Sequence, residues 1–225
     1  MGEAWAAGDG GEELRVEIAM DGVMAHIDGR WQEAKVGTIL VRQLEAQPEE
    51  PTLGAVLARR DVGILGAAEA LAVRITQVIR EAGWERLPVG EMLGDGALWI
   101  WAVAAAHVPA VRLTLDYDHL SEHLYAFAQL LYPNNPVGAK VWVDQNRGAL
   151  LRDRVGEVLG ALKRMRPWKK LVRKALAQLI GSVERSRTRI RYQAPWQRAL
   201  AVGSGTVEGA RKHADFSGWT SRPHQ

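Results

Sequence analysis

Two β-rich runs meeting at a single tight-turn signal constrain this chain more than any other feature. RVEIAMDGVMAHI (15–27) and WQEAKVGTILVRQL (31–44) are β-rich and are joined around Asp28-Gly29. An Asp-Gly pair between such runs accepts the positive φ angles of a two-residue hairpin turn. A long antiparallel hairpin therefore opens the fold, and it carries a charge, Asp21, inside its first apolar strand. An unpaired carboxylate there is costly, so a partner or a cation is expected.

After the hairpin the pattern changes. LGAVLARR (53–60) reads as a third strand, and Gly66 to Ala82 has helical spacing ended by Gly83. VGEMLGDGA (89–97) reads as a strand and turn leading into a helix at 98–107, and AVRLTLD (110–116) as a buried strand before a helix at 120–131. Tyr132-Pro133-Asn134-Asn135-Pro136 is a break. Residues 140–192 read as wholly helical, and a loop at 193–205 leads to a short helix starting near Thr206. Antiparallel strands followed by β-α-β units give an α/β fold, a mixed sheet flanked by helices. The layout is that of a ribonuclease-H-like fold with a helical insertion before its last helix. The expected organisation is a disordered leader (1–14), a core (15–131), a basic helical insertion (132–192), and a final helix with an atypical tail (193–225).

The 225 residues contain no cysteine, which excludes disulfides, thiolate metal sites and a cysteine nucleophile. The longest apolar run, ALWIWAVAAAHV (97–108), is too short to span a bilayer, so no membrane partner is expected. The net charge is only +3, but its distribution is uneven. Residues 1–50 carry eleven acidic and four basic side chains, whereas residues 147–191 carry fourteen basic and three acidic ones. Such a block is the footprint expected of a polyanion partner, with a solvated helix face as the bland alternative. Within it, Lys163, Arg164, Arg166, Lys169, Lys170, Arg173 and Lys174 are candidate phosphate contacts, and Trp168 is a candidate stacking residue. Arg187 and Arg189 would guide DNA along an extended segment, whereas Trp99 and Trp101 read as core.

Three acids occupy unusual places: Asp21 in the first strand, Asp95 just past a second, and Glu208 at the start of the last helix. Each has a bland alternative as a bulge, turn or helix-terminus residue. Converging in one cleft, they would make an oxygen-rich site suited to two Mg²⁺ or Mn²⁺ ions. The stretch DYDHLSEHLY (116–125) offers a rival site. His119, Glu122 and His123 have the H-x-x-E-H spacing of inverted zinc peptidases. That class carries a further glutamate about seventy-five residues on, where APWQRAL (194–200) has no acid. VGSGTVEGA places Glu208 where a dinucleotide fingerprint needs its third glycine, so a nucleotide loop does not fit.

The stretches DGVMAHIDGRWQEAKVGTIL (21–40), LGDGALWIWAVAAAHVPAVRLTLDYDHLSEHLYAFA (93–128) and VGSGTVEGARK (202–212) resemble the catalytic domain of DDE-type bacterial insertion-sequence transposases, nearest the ISKra group. The resemblance implies a ribonuclease-H-like catalytic domain that cleaves and transfers DNA strands, with element ends and target DNA as partners. It implies a homo-oligomer when active, in the bacterial cytoplasm and associated with the nucleoid. By it, Asp21 and Asp95 are the metal-binding aspartates, Glu208 is the third acid, and the bound ions are Mg²⁺ or Mn²⁺. Asp116 and His119 match the family's D-x-x-H, an accessory element beside the active site, although Asp118 stands where an aromatic residue is usual.

Two other readings stay open. One is a ribonuclease-H-like nuclease without strand transfer. The other is a truncated, inactive remnant. HADFSGWTSRPHQ (213–225) does not sustain the longer basic helix the family has there, and fourteen leader residues hold no helix-turn-helix.

Overall fold

The computed structural model describes residues 13–44, 53–108, 111–198 and 200–203. Strands β1 (Glu13–Ile27) and β2 (Arg30–Leu44) form the expected hairpin, with Asp28 at φ 51° and Gly29 at φ 75° in the turn. Both central residues thus take the left-handed conformation that Asp and Gly tolerate. Strand β3 (Ala55–Leu65) pairs antiparallel with β2 and runs five residues past the expected end at Arg60. Its arginines, half-buried Arg59 and exposed Arg60, belong to an edge strand, where charge protects the open side. Strands β4 (Val89–Gly94) and β5 (Leu113–Leu115) add in parallel on the other side of β1. The sheet order is β3-β2-β1-β4-β5, the mixed ribonuclease-H-like arrangement.

One face of the sheet is apolar. Val16, Ile18, Met20, Ile39, Val41 and Met92 point into a core shared with helix α1 (Ala68–Glu81) and helix α2 (Leu98–His107). Gly94 is small for a reason: a Cβ there would lie 2.8 Å from Ile100 Cγ2 and 3.1 Å from the Trp101 ring. Helix α2 can approach β4 this closely only over a glycine.

Helix α3 (Tyr117–Leu131) starts three residues earlier than its spacing predicts, because Asp116 caps it. The Asp116 carboxylate accepts from the amides of Asp118, at 2.8 Å, and His119, at 3.2 Å. That satisfies two of the orphan donors of the first turn. The basic region is not one continuous helical stretch. It comprises α4 (Pro136–Leu151), α5 (Val155–Arg164), α6 (Lys170–Arg185) and a 3-10 turn at Arg187–Arg189. Asp153, at φ 57°, breaks the first junction, and Pro167 lies in the second. Val143, Leu150, Leu162, Val172 and Leu179 from these helices join the core that the sheet starts. Within the expected loop, residues 193–197 form a short helix, α7. The final helix expected near Thr206 lies outside the described residues. Among those residues, no helix is long and apolar enough to cross a membrane.

Candidate active site

The second face of the sheet is polar and also buried. Parallel pairing puts Glu17 opposite Glu91, Ala19 opposite Leu93, and Met20 opposite Gly94. On the next strand Leu93 and Gly94 pair with Thr114 and Leu115. Asp21, Asp95 and Asp116 each follow one residue later. They form one row, where β4 and β5 end and where β1 runs on past its last pairing with β4, and neighbouring strands lie about 4.8 Å apart. The Asp116 amide donates to Gly94 O at 2.8 Å, which ties the third member to the second.

Each acid is held differently. Asp21 is half-buried and paired across the hairpin with Val36. Asp95 leaves its strand through Gly96, at φ 101°, and its Oδ1 accepts from Ala97 N at 2.9 Å at the entrance to α2. Burial pushes the Asp95 carboxyl above its ordinary range. The Ala97 amide and His119 oppose that shift, while Asp21 and Asp116 add to it. Like charges in a desolvated row disfavour one another, and a cation would relieve them. Asp116 is buried, with one oxygen committed to the cap of α3.

Among the described residues, no three His, Asp or Glu side chains are grouped closely enough to hold a metal ion. Asp21 and Asp95 offer oxygen donors from adjacent strands, which is the donor chemistry of Mg²⁺ or Mn²⁺. Glu208, the expected third ligand, lies outside the described residues. The chain leading towards it is described as far as Gly203. Tyr117 N donates to Val202 O at 2.9 Å, and a Cβ on Gly203 would collide with the Asp118 carboxylate. A cleft of about 510 Å³ opens alongside, lined by Tyr117, Arg147, Trp196 and Val202 among others.

His119 and His123 sit one turn apart on α3 with their Nε2 atoms 3.0 Å apart and their rings edge-to-face. Glu122 lies 3.7 Å from His119 Nδ1, on the far side of that ring. Although His123 is exposed by surface area, partial desolvation and then His119 hold its imidazole below the ordinary range.

Two rows behind the aspartates is a charge network that sequence patterning does not single out. Glu17, Arg42 and Glu91 are each no more than 3% exposed. Arg42 Nε donates to Glu17 Oε2 at 2.8 Å, and its Nη1 donates to Gly54 O at 2.6 Å. Ala201 N donates to the other Glu17 oxygen at 2.9 Å, so residues 200–203 cover this face. Glu91 accepts from Thr114 Oγ1, and Arg112 stands 4.0 Å away. Burial pushes the Glu91 carboxyl up to about 8. The only signal in the sequence is a glutamate at alternate positions of two otherwise apolar strands.

The basic residues lie on α5, α6, their junction and the turn that follows. Lys163, Arg164, Arg166, Lys169, Lys170, Arg173 and Lys174 are all exposed around the α5–α6 junction. Trp168 stands 81% exposed among them, with Lys169 Nζ 5.3 Å from its ring centre. Lys163 is ion-paired with Glu184. Arg187 is exposed, but Arg189 is half-buried, with its guanidinium 4.6 Å from the centre of the Trp101 ring. Trp101 is core, as expected; Trp99 is only partly buried and takes Lys35 against its ring at 5.1 Å.

No protein-family model matches the chain, and no curated protein matches it. Among solved structures, a chain in the cryo-EM structure of the simian T-cell lymphotropic virus intasome in complex with PP2A regulatory subunit B56 gamma aligns over 74% of this chain, at 9% identity and a TM-score of 0.25. The alignment covers 47% of that chain, so this protein spans about half its length. A likeness that slight carries no argument about function.

Proposed function

We propose that this chain is the catalytic domain of a DDE-type transposase, a metal-dependent enzyme of DNA strand cleavage and strand transfer. The observation that carries the reading is that Asp21 and Asp95 each directly follow the last register pair, Met20 and Gly94, of the adjacent parallel strands β1 and β4. In this reading Asp21, Asp95 and Glu208 hold Mg²⁺ or Mn²⁺. Glu208 is five residues beyond Gly203, a stretch of chain that reaches at most about 18 Å. Bound there, the ions would supply an activated water or 3′-hydroxyl and charge stabilisation for the leaving oxygen.

The other residues divide the remaining work. Asp116 caps α3 and thereby sets His119 beside the carboxylates. The exposed cations of α5 and α6 would hold the DNA backbone without reading its sequence, and Trp168 would stack on an unpaired base. Element ends and target DNA are the proposed partners, and a homo-oligomer is the proposed active form.

The test is cleavage of supercoiled plasmid DNA in Mn²⁺ by the wild-type protein and by Asp95→Ala. The proposal expects nicking by the first and none by the second. Equal cleavage by both sinks the mechanism. No cleavage by either favours an inactive remnant. A nuclease without strand transfer is separated by whether cleaved ends join a second duplex.

A further inference from the structure

We propose that His119 and His123 form a two-imidazole chelate for a borderline divalent transition ion, Zn²⁺ in particular, on the first turns of α3 beside Asp95. The site differs in chemistry from the carboxylate row, because its donors are nitrogens rather than oxygens. It uses His123, which the proposed function leaves idle.

The geometry is that of a chelate. Residues four apart on a helix lie on one face, and here the two Nε2 atoms converge to 3.0 Å. With Zn–N bonds of about 2.0–2.1 Å, that separation gives an N–Zn–N angle of roughly 95°. Opening it to the tetrahedral value of about 109° needs only a few tenths of an ångström between the rings. Glu122 lies on the Nδ1 side of His119, at 3.7 Å, which favours the proton on Nδ1 and leaves the Nε2 lone pair facing His123. That tautomer makes His123 Nε2 the donor across the 3.0 Å gap in the metal-free protein. On binding, that proton moves to His123 Nδ1, and both Nε2 lone pairs face the ion. No net proton is released.

The rest of the coordination sphere is open. No third protein ligand is grouped with the pair among the described residues, so water fills the remaining positions. Asp95 is near enough to influence His123 and to be influenced by His119, which sets the ion at the edge of the acidic row. A protein ligand set of two histidines is not the closed four-ligand set of a structural zinc site, and exchangeable binding follows.

The experiment is calorimetric titration of the full chain with Zn²⁺, using the wild-type protein, His119→Ala, His123→Ala, His107→Ala and Asp95→Asn. Thermal midpoints verify that each variant is folded. The wild type is expected to show a site that either chelate variant weakens by at least about tenfold, while His107→Ala leaves it unchanged. Co²⁺ supplies a second readout, a visible absorption band lost in His123→Ala. Retention of wild-type Zn²⁺ affinity by His123→Ala overturns the proposal. So does loss of the site in Asp95→Asn with retention in His123→Ala, which would assign the ion to the carboxylates. Binding is read without DNA, so failure of the cleavage reading and failure of the chelate are told apart.

Discussion

Asp21 and Asp95 each stand one residue beyond a register pair, Met20 and Gly94, on parallel neighbouring strands, so two carboxylates meet where β4 ends beside β1. Their proximity has an electrostatic cost. Burial raises the Asp95 carboxyl most, and Asp21 raises it further. Asp95→Asn keeps an oxygen for the Ala97 amide but removes the repulsion. It is expected to raise the thermal midpoint while lowering Mn²⁺-dependent cleavage by at least about 100-fold. Scanning calorimetry beside a cleavage assay checks both signs. A fall in midpoint would show that the row is not under like-charge strain.

Glu91 makes stability depend on pH in a definite direction. Its folded carboxyl titrates at about 8 against an ordinary 4.5, so the folded state holds the proton more tightly. The resulting stabilisation is complete below about pH 4.5 and is lost as pH rises through about 8. Glu91→Gln should remove this dependence, an effect on the order of a few kcal/mol. Urea midpoints at several pH values between 5 and 9 measure it. Parallel curves for wild type and variant would refute the assignment.

The Glu17–Arg42 pair predicts an asymmetry between single and double substitution. Arg42→Met leaves Glu17 buried beside Glu91 without its cation, at an expected cost of about 3–5 kcal/mol. Replacing both by apolar residues removes the uncompensated charge and should recover most of that loss. Because Glu17 also accepts from Ala201 N, protease sensitivity near residue 200 should rise in the single variant. Chemical denaturation of the three proteins decides the matter.

Much of this fold is legible in the sequence, and the illegible parts have specific causes. β-rich composition and Asp28-Gly29 define the hairpin to within a residue or two, because turn chemistry and composition agree there. Nothing in that pattern marks Glu17 and Arg42 as a buried pair. Periodicity tells which residues share a face but not what covers it, and here residues 200–203 arrive from far along the chain. The register that aligns Asp21 with Asp95 follows from β1 and β4 being neighbours, an inference from element order. Asp116 as a cap is readable in principle from an aspartate preceding a helical pattern. The hinges at Asp153 and Pro167 escape a reading by period because the apolar spacing continues through them. The closeness of His119 and His123 is a rotamer property that spacing permits without fixing.

The basic lobe yields a salt prediction. Every phosphate-binding cation removed should reduce the slope of log affinity against log salt by about 0.9 for duplex DNA. Substituting alanine for Lys169, Lys170 and Lys174 together should therefore flatten the slope by roughly two to three. Trp168→Ala should instead weaken single-stranded binding by about 1–3 kcal/mol at constant slope. Fluorescence anisotropy over a salt series separates the two. An unchanged slope in the triple variant would place the DNA elsewhere.

The most direct test of the central claim is Mn²⁺ binding followed by electron paramagnetic resonance in the absence of DNA. Wild type, Asp21→Asn and Asp95→Asn are compared. If the two aspartates share an ion, either substitution weakens binding by at least about tenfold while the fold is retained. Wild-type Mn²⁺ affinity in both variants would contradict the account.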